Sequence, residues 1–220
     1  MKCDKNRMLL YAVTDRAWLG TETLYEQVEQ ALRGGATCVQ LREKELGYEE
    51  FLREAVELKE LCGRYGVPLI INDSVEIMLQ SGADGVHIGQ GDGDVTEIRK
   101  RIGPDKLLGV SAHTVEEAVR AERDGADYLG AGAVFATGTK PDAGSLSHET
   151  LQAICRAVSI PVVGIGGISE KNVARLSPAA GLPASRSWAR FSRRRTSSGR
   201  RPRSKRRSWR RWGCDTRRDL

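Results

Sequence analysis

The sequence predicts an α/β fold, a (β/α)8 barrel (TIM barrel) whose eighth β/α unit is replaced by an Arg-rich tail. Up to Leu176, short apolar segments alternate with segments of helical spacing. Strands that alternate with helices imply right-handed crossovers and a parallel sheet. We count seven strands and seven helices in this part of the chain. Units of about 25 residues match a small barrel of this type.

Apolar runs bounded by Gly, Pro or Asp residues predict the strands. They cover residues 9–14, 37–42, 69–73, 85–89, 107–112, 128–135 and 161–166. Apolar residues that recur on one face predict the helices, as Leu24, Val28 and Leu32 do. Delimited helices cover residues 23–32, 50–61, 75–79, 96–102, 115–121 and 149–158. A flavodoxin-like or Rossmann sheet is the competing architecture, but it needs a switch point that we do not find.

A Gly-Ala-x triplet directly precedes three of the predicted strands. The triplets are Gly35-Ala36-Thr37, Gly82-Ala83-Asp84 and Gly125-Ala126-Asp127. Glycine readily adopts the left-handed conformation that ends a helix. Each triplet therefore predicts the end of one helix and the immediate start of the next strand.

The segment 177–220 breaks this pattern, and we divide the chain into an incomplete barrel domain, 1–176, and a basic low-complexity tail. The tail holds 15 of the 35 Lys and Arg residues but only 2 of the 29 Asp and Glu residues. It therefore carries a net charge of +13, and the domain before it carries −7. Any partner inferred from the overall basic charge would be a partner of the tail alone.

Two hypotheses account for the tail, which we expect to be disordered. The first is an out-of-frame reading of a GC-rich gene whose true frame encodes the last strand and helix. The second is a genuine basic tail that binds RNA by charge, with Trp188, Trp209 and Trp212 stacked on bases. Without an eighth strand, the first and seventh strands would be left with unpaired edges.

The cysteines and the hydropathy pattern predict a reduced, cytoplasmic protein. Five cysteines are scattered along the chain without a C-x-x-C pair. Cys38 and Cys155 lie in apolar segments, where we expect buried thiols. No run of about 18 apolar residues is present, so we expect no transmembrane helix. The apolar stretch near the N-terminus is too short for a signal peptide.

In barrels of this kind the working residues lie at the C-terminal ends of the strands. Gln40, Arg42 and Lys44 alternate at the end of the second strand, so they share one face. An amide and two cations on one face suit a polyanion such as pyrophosphate, although a solvated charged loop would give the same pattern.

Two aspartates follow neighbouring strands and predict a Mg²⁺ site. Asn72 and Asp73 end the third strand, and Asp92 follows the fourth. Mg²⁺ binds through a couple of protein carboxylates and completes its shell with phosphate oxygens and water. Alternatively, Asp73 or Ser74 caps the following helix.

The remaining strand ends add further polar candidates. Ser111 at the end of the fifth strand can bond a phosphate. A long loop follows the sixth strand and resembles a lid over an anion; it contains Thr137, Gly138, Thr139 and Lys140. The glycine-rich loop at Gly167 offers backbone N–H groups to a phosphate. We expect Asp94 and Thr114 to cap helices and His87 to pack or support the site rather than act as a catalytic base.

Six of these segments together resemble the thiamine-phosphate synthase (thiamine-phosphate pyrophosphorylase) family over residues 8–176. They are Gln-Leu-Arg-Glu-Lys at 40–44, Asn-Asp at 72–73, His-Ile-Gly-Gln-x-Asp at 87–92, Val-Ser-Ala-His-Thr at 110–114, Thr-Gly-Thr-Lys-Pro at 137–141 and Val-Gly-Ile-Gly-Gly-Ile at 163–168. The resemblance implies a transferase that joins 4-amino-2-methyl-5-hydroxymethylpyrimidine diphosphate to hydroxyethylthiazole phosphate. Pyrophosphate would leave in a dissociative, Mg²⁺-assisted step.

The resemblance also implies a role for each site residue. The pyrimidine diphosphate would be held by Gln40, Arg42, Lys44, Asn72, Ser111 and Lys140. Arg42, Lys44 and Lys140 are the implied catalytic residues, and Asp73 and Asp92 the implied Mg²⁺ ligands. The thiazole phosphate would face Thr137, Thr139 and Gly167, and the implied substrate-binding set is completed by Leu41, Glu43 and Gly138.

Members of this family end with a strand whose backbone completes the thiazole-phosphate cup, and 177–220 does not supply it by sequence. We therefore expect weak or absent turnover and poor solubility from the 220-residue chain. Two other functions compete: a thiazole tautomerase-like paralogue, which does not need the Asn72, Asp73 and Asp92 set, and a non-enzymatic RNA-binding protein that uses the tail. We expect no membrane partner, and a homo-oligomer is compatible with the sequence.

Overall fold

The computed structural model describes residues 5–135, 146–169, 171–176 and 187–189, which contain a closed barrel of eight parallel strands. The strands are β1 (Leu10–Val13), β2 (Cys38–Leu41), β3 (Leu69–Asn72), β4 (Gly85–Ile88), β5 (Leu107–Ala112), β6 (Tyr128–Gly132), β7 (Val162–Ile165) and β8 (Ser187–Ala189). Their order around the barrel follows the sequence. The predicted α/β barrel class is therefore confirmed.

Six α-helices alternate with these strands in the described part of the chain. They are α1 (Leu24–Arg33), α2 (Tyr48–Arg64), α3 (Val75–Ser81), α4 (Val95–Ile102), α5 (Val115–Arg123) and α6 (His148–Ala157). The start of α1 shows why the chain becomes helical there: Thr23 Oγ1 accepts the Glu26 N–H at 3.2 Å, and Glu26 Oε2 accepts the Thr23 N–H at 2.9 Å. A 3₁₀ turn, Val173–Leu176, follows β7 where a seventh helix was expected.

The eighth strand corrects the prediction that the tail contributes no β/α strand. Residues Ser187–Ala189 pair with β1 and with β7, both in parallel. The physical reason is that the open edges of β1 and β7 present backbone N–H and C=O groups. An extended backbone segment can pair with these groups even where it lacks the apolar run typical of the other strands. The rest of 177–220, with its predicted disorder and RNA binding, lies outside the described residues.

Two apolar cores lie on the two sides of the sheet. The larger core fills the space between the strands and the helices and includes Leu41, Leu58 and Ile71. The smaller core lies inside the barrel and contains Met8, Tyr11, Val13, Cys38, Ile70, Leu107, Tyr128 and Val163. Successive residues of each strand therefore face the helices and the barrel interior in turn.

The Gly-Ala-x triplets form a repeated connection at the N-terminal end of the barrel. Their glycines have φ values of 99°, 69° and 108°, as the prediction of left-handed helix ends requires. The third residues, Thr37, Asp84 and Asp127, each accept a backbone N–H near the start of the preceding strand at 2.8 Å. Lys59 pairs with Asp84 at 2.7 Å, and Arg99 pairs with Asp127 at 2.5 Å. The units of β2, β4 and β6 are thus each bonded to the unit before them.

The thiols agree with the sequence-based expectation. Cys38 and Cys155 are buried, as predicted, and Cys62 is also buried. Burial raises the pKa of the Cys62 thiol to about 12. Cys3 and Cys214 lie outside the described residues. None of the helices in the described ranges has the length and apolar character needed to cross a membrane.

Candidate active site

The cationic end of β2 lies at the C-terminal mouth of the barrel, as predicted. Gln40 is buried inside the barrel, Arg42 is half-buried and Lys44 is exposed. The Arg42 Nε is buried and has no hydrogen-bond partner among the described residues. The Lys44 Nζ forms an ion pair with the Asp73 carboxylate. The structure therefore brings the predicted phosphate-binding lysine and a predicted metal ligand into contact.

Two residues of the predicted substrate-binding set are engaged within the fold. The Leu41 side chain is fully buried in the core between the sheet and the helices. The Glu43 side chain is 3% exposed and pairs with Arg16. Its Oε1 also accepts the backbone N–H groups of Lys44 at 2.8 Å and Glu45 at 3.0 Å. Both side chains are occupied by contacts within the protein. Only the backbone groups of Leu41 and Glu43 are therefore left to contact a substrate.

Arg16 connects this loop to α2 through two carboxylates whose pKa values shift in opposite directions. Burial raises the pKa of the Glu43 carboxyl, but the Glu45 N–H, the Arg16 guanidinium and the Lys44 N–H together outweigh burial and leave the pKa lowered. Burial raises the pKa of Glu54, although Arg16 bonds both of its oxygens at 2.8 and 2.9 Å. No local pattern predicted a role for Arg16, which lies 27 residues before its partner Glu43.

The two predicted metal ligands lie in one cleft at the mouth. Asp73 and Asp92 both line an open cleft of about 580 Å³. Asp73 has a φ of 64°, a left-handed conformation that is uncommon for a residue other than glycine and often occurs at functional sites. Ser74, not Asp73, caps α3, because Ser74 Oγ accepts the Ile77 N–H at 3.2 Å. The Asp73 carboxylate is therefore available at the mouth.

The donor set of this cleft fits a Mg²⁺ ion that also binds substrate. Asp73 Oδ2 bonds Lys44, and Asp92 Oδ2 accepts the Gly89 N–H at 2.6 Å, so the second oxygen of each carboxylate is not used by these contacts. The described residues contain no group of three or more His, Cys, Asp or Glu side chains arranged around a metal position. Two carboxylates with phosphate oxygens and water are a usual Mg²⁺ environment.

A chain of hydrogen bonds crosses the barrel interior and joins two predicted substrate-binding residues. Gln40 Nε2 donates to Tyr11 Oη at 2.9 Å, and Tyr11 Oη lies 2.8 Å from Tyr128 Oη. Tyr128 Oη lies 3.2 Å from His87 Nδ1, and His87 Nε2 lies 3.0 Å from Ser111 Oγ. His87 has the supporting place expected for it. Tyr11 and Tyr128 were not predicted as site residues. A tyrosine at an inward-facing position of an otherwise apolar strand is the sequence feature that indicates such a buried hydroxyl.

Two glycines make room for this chain. A Cβ on Gly109 would lie 2.1 Å from Tyr128 Cζ and 2.4 Å from His87 Nδ1. A Cβ on Gly130 would lie 2.8 Å from His87 Cε1. The barrel therefore excludes side chains at these two positions of β5 and β6 in favour of the histidine and the tyrosine.

The loops after β4, β5 and β7 complete the described part of the mouth. Gln90 Nε2 donates to the Ser111 carbonyl oxygen at 2.6 Å, and Arg120 donates to Gln90 Oε1 at 2.9 Å. Gly166 and Gly167 have φ values of 96° and 63°, and Asn172 Nδ2 donates to the Gly167 carbonyl at 2.8 Å. The predicted helix caps Asp94 and Thr114 are confirmed. The predicted lid residues lie outside the described residues: Thr137, Gly138, Thr139 and Lys140.

The fold and the site together define a (β/α)8-barrel enzyme whose mouth presents cationic, amide and carboxylate groups. Residues 10–183 match the family profile described as thiamine monophosphate synthase. The chain belongs to this family, as its sequence motifs indicated.

Individual relatives support the same assignment. The thiamine-phosphate synthase of Ruminiclostridium cellulolyticum is 54% identical over 167 residues, which cover 76% of this chain and 80% of that protein. The thiamine-phosphate synthase of Clostridioides difficile is 52% identical over 172 residues, 78% of this chain and 82% of that protein. Among solved structures, the thiamine phosphate pyrophosphorylase from Pyrococcus furiosus superposes with a TM-score of 0.73 at 36% identity, covering 84% of this chain and 86% of that one.

Proposed function

We propose that this chain is a transferase that condenses 4-amino-2-methyl-5-hydroxymethylpyrimidine diphosphate with hydroxyethylthiazole phosphate to give thiamine phosphate and pyrophosphate. The bond between the pyrimidine methylene carbon and the diphosphate oxygen breaks, and its electron pair leaves with pyrophosphate. Electron donation from the pyrimidine amino group stabilises the methylene cation. The thiazole nitrogen then supplies the electron pair of the new carbon–nitrogen bond.

The observation that carries this proposal is the unpartnered Nε of Arg42. A buried guanidinium N–H without an acceptor is unfavourable, and an anionic ligand removes that penalty. Arg42 follows β2 at the mouth, beside the exposed Lys44. A diphosphate placed there would receive charge-assisted hydrogen bonds from both side chains, which suits a leaving group that gains negative charge.

Amide and hydroxyl groups fit the remaining part of the pyrimidine diphosphate. Gln40 and Asn72 are buried at the inner side of the mouth, and Ser111 is half-buried on the opposite side. Hydrogen bonds from these groups would fix the pyrimidine ring so that its methylene group faces the thiazole. Lys140, which is proposed for the same substrate, lies outside the described residues.

Asp73 and Asp92 are the proposed Mg²⁺ ligands. Mg²⁺ bound there would neutralise charge on the leaving pyrophosphate. The ion pair between Lys44 and Asp73 would keep the lysine beside that position. No residue is required as a covalent nucleophile, because charge stabilisation and alignment of the two substrates are sufficient for this chemistry.

The glycine loop after β7 is the proposed site for the thiazole phosphate. Gly166 and Gly167 carry no side chains and turn the backbone through two left-handed positions, so a phosphate can approach the main chain closely. Thr137, Gly138 and Thr139 are proposed for the same phosphate and lie outside the described residues. A reduced, cytoplasmic setting is part of the proposal and rests on the cysteine pattern.

Neither competing function is favoured. The matched relatives are synthases by name, and the mouth presents Asn72, Asp73 and Asp92 together, which a tautomerase does not need. RNA binding rests on tail residues that lie outside the described residues, so it stays a prediction.

The test is a single-turnover assay with enzyme in excess, because we expect weak turnover from the 220-residue chain. The purified chain is incubated with both substrates and Mg²⁺, and thiamine phosphate and pyrophosphate are quantified. We expect equal amounts of both products, and loss of both when either substrate is omitted or in Arg42→Met. A folded chain that forms no thiamine phosphate and does not bind the pyrimidine diphosphate would contradict the proposal.

A further inference from the structure

The hydrogen-bond chain inside the barrel has a feature that packing does not explain. Its four inner members are almost completely buried: Gln40 is 3% exposed, Tyr11 2%, Tyr128 1% and His87 9%. Apolar residues of similar size would fill the interior without the need to pair every polar group. The hydrogen-bond chain also requires glycine at two positions of neighbouring strands, Gly109 and Gly130. Such a demanding arrangement suggests a role beyond stability.

Hydrogen bonds that run in the same direction polarise one another, so we follow the chain from its one fixed donor, the amide of Gln40. The Gln40 amide nitrogen can only donate, so Tyr11 Oη accepts from it. The Tyr11 hydroxyl can then donate to Tyr128 Oη, and the Tyr128 hydroxyl to His87 Nδ1. A histidine that accepts at Nδ1 carries its proton at Nε2 when neutral, and it donates that proton to Ser111 Oγ. The Ser111 hydrogen remains to be donated.

We infer that Tyr11, Tyr128 and His87 are positioning residues that couple Gln40 to Ser111 and orient the Ser111 hydroxyl as a hydrogen-bond donor toward the mouth. A serine that already accepts from His87 presents its hydrogen to the ligand, so the ligand atom beside Ser111 is an acceptor. A phosphate or diphosphate oxygen satisfies this requirement, whereas an amino group does not. The identity of that ligand rests on the proposed function, but the direction of the hydrogen bonds from Gln40 to Ser111 does not.

The imidazole of His87 reports the orientation directly. The chain contains three histidines, so a long-range ¹H–¹⁵N correlation spectrum can be assigned by comparison with His87→Asn. We expect the neutral His87 to be the Nε2–H tautomer in the wild-type chain without ligand. In Tyr128→Phe, which keeps the ring but removes the hydroxyl, we expect a mixture of tautomers. An Nδ1–H tautomer in the wild type would overturn the inference.

Tyr65→Phe is the matched control for Tyr128→Phe. Tyr65 follows α2 at the surface, and its hydroxyl bonds Glu29 at 3.2 Å, so this variant also loses a tyrosine hydrogen bond. We expect it to leave the His87 signal unchanged. An equal change of the His87 signal in both variants would show that the His87 tautomer does not depend on the hydrogen bonds inside the barrel. Tyr11→Phe provides a second break in the chain if Tyr128→Phe does not fold.

A double-mutant cycle separates positioning from packing. Binding of inorganic pyrophosphate in the presence of Mg²⁺ is measured by calorimetry for the wild type, His87→Asn, Ser111→Ala and the double variant. Loss of one neutral hydrogen bond corresponds to a roughly two- to tenfold weaker affinity. We expect that loss for His87→Asn only when Ser111 is present, and partial recovery in His87→Gln, whose amide can still reach Ser111. Fully additive losses would overturn the inference.

The two proposals can fail separately. A chain that makes thiamine phosphate but holds His87 as the Nδ1–H tautomer contradicts the positioning role alone. A folded protein with the Nε2–H tautomer that neither makes thiamine phosphate nor binds the pyrimidine diphosphate contradicts the proposed function and supports the positioning role.

Discussion

The Lys44 ammonium group is paired with the Asp73 carboxylate across the ends of β2 and β3. The Lys44 side chain is 52% exposed and that of Asp73 is 30% exposed, so the pair is open to ligands and solvent. A surface pair of this kind contributes little to stability. Its importance is that each partner belongs to a different part of the proposed site, the lysine to the diphosphate and the aspartate to Mg²⁺.

Removal of Lys44 should therefore shift binding of the two ligands in opposite directions. In Lys44→Met we expect Mg²⁺ alone to bind somewhat more tightly, by less than about fivefold, because a competing cation is gone from Asp73. Pyrophosphate should bind more weakly, since one of its cationic partners is lost. Titration calorimetry measures both affinities, and Asp73→Asn serves as the comparison that removes the carboxylate itself. Parallel changes for both ligands would contradict this prediction.

Gly109→Ala should destabilise the protein by about 1–3 kcal/mol, because its new Cβ collides with Tyr128 and His87 inside the barrel. The matched control is Gly63→Ala, where a Cβ within α2 would meet no atom within 4 Å. That control should instead stabilise the protein by roughly 0.5–1 kcal/mol, because alanine favours the helix. Urea unfolding at equilibrium gives both free energies. Equal effects of the two substitutions would show that the interior accommodates the extra methyl group.

Acidification should remove the stabilising contribution of Glu43. Its pKa in the folded protein lies below the ordinary value of 4.5, so the ionised form stabilises the fold above that value. As the pH falls through the lower folded pKa, the carboxylate takes up a proton and this contribution is lost. The free-energy difference between wild type and Glu43→Gln should therefore be largest at neutral pH and shrink below pH 4.5.

Urea unfolding across this pH range measures the Glu43 effect, with Glu60→Gln as the control. Glu60 is an exposed residue of the same α2 helix that Arg16 contacts through Glu54. Its substitution removes an exposed carboxylate rather than one that Arg16 holds, so we expect a smaller loss of stability at neutral pH. A Glu43→Gln difference that stays constant from neutral to acidic pH would be inconsistent with the lowered pKa.

Two truncations test the role of β8. A chain ending at residue 189 keeps Ser187–Ala189, whereas a chain ending at 176 exposes the edges of β1 and β7. We expect the shorter chain to be less stable by about 2 kcal/mol or more, because several backbone hydrogen bonds are lost. The chain that ends at residue 189 should retain the unfolding midpoint of the full chain. Identical midpoints for both truncations would exclude a structural role of this strand.

The same truncations address the RNA hypothesis. If the tail binds RNA by charge, binding to single-stranded RNA should fall sharply in the chain ending at 189, because most of the tail's arginines are removed. Retained salt-dependent binding by that truncation would assign RNA affinity to the barrel instead.

Local patterns in the sequence were sufficient for the barrel and for much of its mouth. The strand order, the left-handed glycines at 35, 82 and 125, and the caps at Asp94 and Thr114 follow from contacts between near neighbours in the chain. The placement of Asp73 and Asp92 in one cleft follows from parallel strand order. Neighbouring strands end at the same side of a barrel, so this proximity can be predicted without coordinates.

The rest depended on contacts between residues far apart in the chain. Tyr11 and Tyr128 are 117 positions apart and meet only because the barrel closes. Glu43 was predicted to bind substrate with its neighbours, but its side chain is 3% exposed and is paired with Arg16, a residue of another β/α unit. The strand β8 escaped prediction because its segment lacks the apolar run by which the other seven strands were recognised.

The connections made by Thr37, Asp84 and Asp127 lie at the end of the barrel opposite the mouth. Mouth loops add contacts between units, such as that of Lys44 with Asp73, but these three connections do not depend on the mouth loops. Replacement or lengthening of such a loop changes what the molecule recognises while the order of its units is preserved. The units of β2, β4 and β6 each bring an acceptor for the strand before them, so a segment cut from triplet to triplet, which holds two units, is a natural unit of recombination between related barrels.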